Sequence, residues 1–343
     1  MSEIKVGVIG GSGLGELLAA RVEGTRHQVE TPFGAPSDAV MEMQWEGLAV
    51  YFLSRHGPGH MLNPSQVPYR ANIFALKKLG CTHIIASGAV GSLREEFKPR
   101  DLVVPDQIID KTHKRTNTFY DHSAVHVEFA EPFDQVLRRI LVEEGSAGPA
   151  DDAETRRRED AVKEEGQMQP APVPASPSPR VSASSFSTHA RGCYVCMEGP
   201  AFSTRAESLM HRLWGGDLIG MTCMPEAKLA REAEIGYALI ALVTDYDCWR
   251  KPAAAKESKE PVAPPEAMEL LREIIANLKA ASDNAAALIG RALRRIAADP
   301  QQLAASPALG ALKLAIWSDK ARIPRDQVEL LAPLWMTYFG DSV

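Results

Sequence analysis

The chain has 343 residues, 45% of them apolar, and a net charge of −6 from 38 Lys and Arg against 44 Asp and Glu. That length and apolar share can build a large buried core, and with no basic block set apart from acidic neighbours the charge pattern excludes a nucleic-acid-binding surface. No run reaches the ~18 apolar residues of a membrane span and the start shows no cationic, apolar leader, so the expected compartment is the cytoplasm.

The first apolar run, residues 5–9, breaks into Gly10-Gly11-Ser12-Gly13-Leu14-Gly15. A dinucleotide fingerprint needs G-x-G-x-x-G opening a helix and an acidic residue ending the next strand, about 20 residues on. Here the spacing from Gly11 is G-x-G-x-G and no such strand follows, which disfavours a nicotinamide-dependent dehydrogenase. A plain tight turn is the simplest alternative. The chemical one is a nest of backbone N–H groups plus the Ser12 hydroxyl, suited to one small anion.

A second strand, residues 49–55, runs into Ser54-Arg55-His56-Gly57. Arg55 offers a planar donor fork for phosphate oxygens and His56 an adjacent donor. Residues 67–79 read as a helix, with Pro68 in its first turn and Gly80 just past its end. The strand at 82–87 leads into Ser87-Gly88-Ala89-Val90-Gly91-Ser92, small enough for close backbone approach to a ligand. Another strand is expected at 101–109.

From about 145 to 188 the composition turns charged and then rich in Pro, Ser and Ala, which predicts a disordered insertion in a surface connection. The strand at 193–197 holds Cys193 and Cys196. In a strand, positions three apart face opposite sides, so a redox or zinc pair is disfavoured, and five cysteines in all read as reduced thiols. A capping box, Thr204 to Glu207, opens a helix running to Trp214. Strands at 217–221 and 237–244 lead into Met221-Thr222 and Asp245-Tyr246-Asp247.

Residues 251–265 read as a second flexible stretch. After them, 266–298 carries Met268, Leu271, Ile275 and Leu278 at helical spacing, and 307–318 and 325–338 are further helical patterns. Apolar strands interleaved with helices indicate an α/β layered fold. Ligands collect at the carboxyl ends of strands in such sheets, so the five loops are expected to form one site.

The segments RHGPGHMLNPSQVPYRANIFALKKLGCTHIIASGAVGSLREE, MEGPAFSTRAES and MTCMPEAKLAREAEIGYALIALVTDYDCW strongly resemble the trimeric purine nucleoside phosphorylases, most closely their methylthioadenosine phosphorylase branch. The resemblance implies a single α/β domain with a mixed central sheet flanked by helices. The core would span 1–250, interrupted by the insertion at 145–188, and the flexible 251–265 would lead to extra C-terminal helices at 266–343 packed on it.

It further implies a phosphate site of Ser12, Arg55, His56, the Gly88-Ala89 backbone and Thr222. Met221, Phe202 and Ser203 would line the nucleoside pocket. Asp245 would act as the acid at the purine and Asp247 would read its 6-amino group, the two catalytic carboxylates. His126 would reach a neighbouring subunit's site, which implies a homotrimer. No metal or cofactor is implied, inorganic phosphate being a co-substrate.

Two departures from the family pattern stand out: Gly88 replaces a residue that is usually threonine, and the C-terminal region is longer than usual. The expected reaction is phosphorolysis of 5′-methylthioadenosine to adenine and 5-methylthioribose 1-phosphate. The alternatives are a 6-oxopurine nucleoside or methylthioinosine phosphorylase and a non-catalytic nucleoside-binding homologue.

Overall fold

A computed structural model describes residues 3–19, 24–147, 186–250 and 264–340. The first half runs β1 (Val6–Gly10), α1 (Leu14–Ala19), β2 (Thr25–His27), β3 (Val40–Trp45), β4 (Leu48–Ser54), α2 (Tyr69–Lys78), β5 (His83–Ser92), β6 (Leu102–Val103), β7 (Gln107–Asp110) and α3 (Gln135–Ser146). Then follow β8 (Thr188–His189), β9 (Cys193–Cys196), α4 (Arg205–Leu213), β10 (Leu218–Gly220), α5 (Cys223–Glu232), β11 (Gly236–Tyr246), α6 (Pro264–Ala298), α7 (Arg325–Leu330) and α8 (Ala332–Trp335).

The strands form one eleven-stranded mixed sheet in the order β2-β3-β4-β1-β5-β10-β9-β7, with β11 pairing β5 and β6, and β6 pairing β8. β1, β5 and β11 are continuous apolar runs because they lie in the middle of the sheet, parallel to one another and covered on both faces. One face packs Leu53, Phe74, Phe119, Tyr194 and Trp335. The other packs Val8, Phe52, Ile85 and Ile140 against the C-terminal helix α6.

The mixed α/β architecture expected from the sequence is the one observed. Several boundaries differ, each for a local reason. Pro105, which has no N–H to give a ladder, divides the strand expected at 101–109 into β6 and β7. Residues 307–318 are not a helix: a 3₁₀ turn at Pro307–Gly310 passes into turns and ends in a bridge between Ile316 and Val125. The pattern at 325–338 breaks at Leu331 because Pro333 opens a new helix there.

Within α6 the helical period is right but the buried stripe differs. Met268, Leu271 and Ile275 are exposed, and burial begins at Asn277 and continues through Ala281, Ala285, Leu288, Ala292 and Ile296. Most of the two stretches expected to be flexible, 145–188 and 251–265, lies outside the described residues. A Cβ on Gly145 would stand 2.4 Å from Thr188 Cγ2, so the flanks of the first stretch lie side by side. Among the described residues no helix is long and apolar enough to cross a membrane, and no cluster of three or more His, Cys, Asp or Glu side chains could hold a metal ion.

Asp134 joins three parts of this fold. Its carboxylate accepts from Leu137 N at 2.7 Å as the N-cap of α3, accepts from the Ser306 hydroxyl, and its own N–H donates to Tyr237 O at 2.8 Å. Asp134→Ala should therefore lower the unfolding free energy by about 1–3 kcal/mol. Urea melts of the two proteins test this, and an unchanged midpoint would refute the cap's role.

Candidate active site

The site grows from an interruption in the sheet. β1 pairs with the first part of β5 and stops at Ile9 opposite Ala86. β10 pairs antiparallel with the last part of β5, Leu218 opposite Ser92 and Ile219 opposite Gly91. The two strands approach each other tip to tip, and Ser87–Val90 have a partner strand on the β11 side only. A backbone edge left open in the middle of a sheet must be satisfied by loops or by a ligand.

Thr222 follows the carboxyl end of β10, as expected, but β10 lies parallel to β9 and runs against β5, so Thr222 comes toward Ser87–Val90 from the opposite direction to β1. The loops nevertheless meet. A Cβ on Gly88 would lie 3.4 Å from Thr222 Oγ1, and a Cβ on Gly11 would lie 2.6 Å from both Arg55 Nη1 and Ser87 O and 3.3 Å from Gly88 Cα. Only glycine fits at position 11. Ser12 is partly exposed between Gly11 and Gly13, and Gly13 takes the left-handed φ of +86°. Against Gly13 pack Leu278 and Ser282 of α6.

Arg55 is fully buried. Its Nε and Nη2 donate to the two oxygens of Glu226, both at 2.7 Å, and Nη1 donates to Ser87 O at 2.7 Å. The fork expected to grip phosphate thus grips Glu226, because a guanidinium at zero exposure needs an internal counter-ion. Its remaining approach to an anion is through Nη1 beside Gly11. Burial works against the Arg55 cation, yet the Glu226 carboxylate outweighs it and holds the group charged. Tyr237 adds a donor to Glu226 Oε1 at 2.8 Å.

His56 is also buried, with Nδ1 2.7 Å from Leu62 O. A carbonyl only accepts, so Nδ1 carries the proton. Burial and then the Arg55 cation push His56 down to about 4, which keeps the ring neutral near pH 7. Nε2 is consequently an acceptor.

At the other end of the opening, the β5–β11 ladder slips by one residue between Val243 and Asp245. The bulge at Thr244 re-aims the residues after it. Thr244 Oγ1 lies 2.6 Å from Asp245 Oδ1, and its carbonyl accepts from Asn277 Nδ2 at 3.0 Å. Burial raises the Asp245 pKa, the Thr244 hydrogen bond opposes that, and Asp247 raises it further. Asp247 is buried beside Gly91, a Cβ on which would lie 3.3 Å from Asp247 Cβ.

The pocket's remaining wall is held by Glu198 and Arg115. Ser65 Oγ, His113 N and Lys114 N donate to the Glu198 carboxylate at 2.5–3.2 Å. Arg115 donates to Glu198 O and Met221 O at 2.5 Å and to Met224 O at 2.6 Å. Burial opposes the Glu198 charge, but these donors hold its pKa down at about 2. Met221 packs on Gly199, whose Cβ would sit 2.6 Å from Met221 Sδ.

The Gly11-Ser12 loop, Arg55 and Thr222 thus meet the Ser87–Val90 segment that holds Gly88 and Ala89, with Asp245 and Asp247 beside Gly91 at its end; His56 follows Arg55 in the chain and contacts Leu62 O and the His60 ring. Phe202 is exposed rather than packed, and Ser203 O accepts from the Cys248 thiol. His126 stands apart on an exposed loop, its ring 4.5 Å from that of Trp317. Cys193 is half-buried and Cys196 fully buried on the two sides of β9, and burial pushes their thiols up to about 11 and about 12.

A family model described as "Phosphorylase superfamily" matches residues 5–294. The chain belongs to the phosphorylase superfamily. It is 40% identical over 97% of its length to the S-methyl-5′-thioadenosine phosphorylase of Thermosynechococcus vestitus, covering 99% of that protein. It is 42% identical to the one from Geobacter sulfurreducens, covering 95% of this chain and 96% of the other. A methylthioadenosine phosphorylase structure from an antarctic soil metagenomic library superposes with a TM-score of 0.74 at 38% identity, covering 97% and 99% of the two chains. The enzyme from Schistosoma mansoni in complex with adenine gives 0.71 at 34%, covering 92% and 99%.

Sequence reasoning about this phosphorylase missed Glu226, Glu198, Arg115 and Asn277. Glu226 sits in the quoted MTCMPEAKLARE stretch, and an unpartnered arginine facing a site is a signal to look for a buried acid. For Asn277, distant in sequence, no such signal exists.

Glu226→Ala should leave the Arg55 cation buried without its partner and destabilise the fold by about 3–5 kcal/mol. Replacing both residues with apolar ones of similar volume, Arg55→Met with Glu226→Leu, should recover most of that loss. Chemical denaturation of the three proteins distinguishes them, and a single variant as stable as the parent sinks the account.

Acidification gives a second check. His56 and His83 are both held near 4 by burial, so as pH falls below 6.5 the unfolded chain takes up protons that the fold refuses. The stability present above pH 6.5 is lost toward pH 4, at up to about 1.4 kcal/mol per pH unit for each ring. Glu232, raised by burial to about 7 against an ordinary 4.5, is protonated earlier in the fold and works in the opposite sense between those values. His56→Asn should therefore flatten the fall in unfolding free energy between about pH 6 and 4.5. An unaltered slope in urea titrations would show that His56 is not held neutral.

Proposed function

We infer that the chain catalyses phosphorolysis of 5′-methylthioadenosine, giving adenine and 5-methylthioribose 1-phosphate, with inorganic phosphate as co-substrate and no cofactor. The single observation that carries the chemistry is the opening at Ser87–Val90, with anion donors on one side and two carboxylates on the other. The choice of methylthioadenosine rests on near full-length relatives named for that activity.

Phosphate is held below the sugar by the Ser12 and Thr222 hydroxyls, the backbone N–H groups at Gly88 and Ala89, and Arg55 Nη1. His56 Nε2 accepts a hydrogen bond from the O–H of a monoprotonated phosphate. A phosphate oxygen attacks C1′ as the C1′–N9 bond breaks through an oxocarbenium-like state, and the electron pair of that bond passes to the purine. Asp245 gives a proton to N7, which makes the base a better leaving group. Burial and the neighbouring Asp247 favour its protonated form, as that role requires. Asp247 accepts from the exocyclic 6-amino group, and an unpaired buried carboxylate discriminates against a 6-oxopurine. Met221 and Ser203 line the nucleoside side.

The assembly is a homotrimer in which His126 completes a neighbour's site. Supporting this, Phe202, Leu213, Leu314 and Trp317 are 71–87% exposed, large apolar side chains that a monomer would leave in water.

Purified protein incubated with methylthioadenosine should release adenine only when phosphate is present, and faster than inosine releases hypoxanthine. Binding without turnover would favour the non-catalytic reading, and preferred hypoxanthine release the 6-oxopurine one. Asp247→Asn should shift preference toward 6-oxopurines by about tenfold or more; unchanged selectivity refutes its role. Light scattering should give the mass of three 37.3 kDa chains. His126→Ala should keep that mass while raising KM for the nucleoside.

A further inference from the structure

Helix α4 carries its polarity inside out. Leu209 and Leu213 are exposed, whereas its buried residues are Ser208 and His211, a polar pair one turn apart. The His211 ring is 3% exposed, and neither Nδ1 nor Nε2 has a hydrogen-bond partner among the described residues. Ser208 Oγ is equally bare, and so is Oδ2 of Asp247, itself 8% exposed.

The charged groups that act on the His211 ring are Lys111, Asp247 and Glu207. Lys111 places its ammonium over the Trp214 ring at 4.6 Å, and Glu207 closes the capping box by accepting from Thr204 N at 2.7 Å. Asp247 is the one with a bare buried oxygen. Helix α4 runs alongside the chain that follows Asp247: Arg205 Nε donates to Cys248 O at 3.2 Å, and the Arg212 guanidinium lies over the Trp249 ring at 3.7 Å. Buried polar atoms left unsatisfied are expensive, and neighbours that make no direct hydrogen bond are satisfied through a shared water.

We propose that His211 is a positioning residue for Asp247: its ring N–H, across one bridging water, holds Oδ2 and leaves the other carboxylate oxygen to accept from the purine 6-amino group. The inference rests on the base-reading role of Asp247 given above. His211 touches neither substrate nor phosphate; it fixes the orientation and charge of the carboxylate that does. Burial keeps the ring on the neutral side, with one N–H to donate and one lone pair.

The test compares His211→Phe and His211→Leu, which remove the donor, with His211→Gln, which keeps one. Adenine affinity by calorimetry and the separate KM values for methylthioadenosine and phosphate are measured, with thermal melts to confirm folding. The apolar variants should bind adenine about tenfold more weakly and raise KM for the nucleoside alike, as loss of one hydrogen bond to a charged group implies. KM for phosphate should stay within about twofold, and His211→Gln should recover most of the affinity. If the Phe variant fails to fold, the Leu variant carries the comparison.

Unchanged adenine affinity in the apolar variants overturns the proposal. So does a Gln variant as weak as they are, or a phosphate KM that moves with the nucleoside KM. A parent protein that binds adenine without cleaving methylthioadenosine refutes the assigned reaction alone, and adenine affinity still decides the role of His211.

Discussion

The opening at Ser87–Val90 is the feature on which everything else in this protein depends. Two strands that would each have continued along β5 stop short of each other, so four residues of backbone in the centre of a sheet face a space instead of a neighbour. Ordinary sheets avoid this because unpaired central N–H and C=O groups are penalised. Here the Arg55 guanidinium takes up one of these groups, Ser87 O, at 2.7 Å, and it is N–H groups of this edge that the proposed phosphate site uses. Gly11 lets the first loop close onto Arg55 and Ser87, while a Cβ on Gly88 would make only ordinary contact with Thr222 Oγ1, at 3.4 Å.

A buried ion pair frames the floor of this opening. Arg55 and Glu226 have no exposed surface and are 171 residues apart in sequence. In such a setting desolvation offsets much of the Coulomb attraction, and the pair is a weak source of stability while its separation is severe. What it provides is position: β4, which supplies Arg55, and α5, which supplies Glu226, are locked together with Ser87 between them. Arg115 and Glu198 do the equivalent for the upper wall by tying the carbonyls of Met221 and Met224 to the loop at 113–115.

The carboxylate end uses a different device. A one-residue bulge in β11 shifts Asp245 and Asp247 relative to the ladder, and the bulged carbonyl is satisfied by Asn277 from α6. The C-terminal helix therefore does more than cover apolar strands: it packs Leu278 and Ser282 on the glycine loop and Asn277 on the bulge, touching both ends of the opening. The polar inner face of α4 lies behind Asp247. Tight packing along these helices makes the distance between the anion side and the base side a property of the whole domain.

The sequence by itself determined the alternation of apolar strands and helices, the α4 capping box and the glycine-rich loops after β1 and within β5, because these are set by local chemistry: periodicity, turn residues and side chains with one obvious use. It also carried the family resemblance that placed Asp245 and Asp247 together. Only the tertiary structure decided what Arg55 binds, because its partner is a glutamate from a helix far along the chain, and charge in a string of letters does not reveal burial. The antiparallel entry of Thr222, the bulge and Asn277 were likewise settled by strand pairing and packing, interactions between segments whose distance in sequence bears no relation to their distance in space.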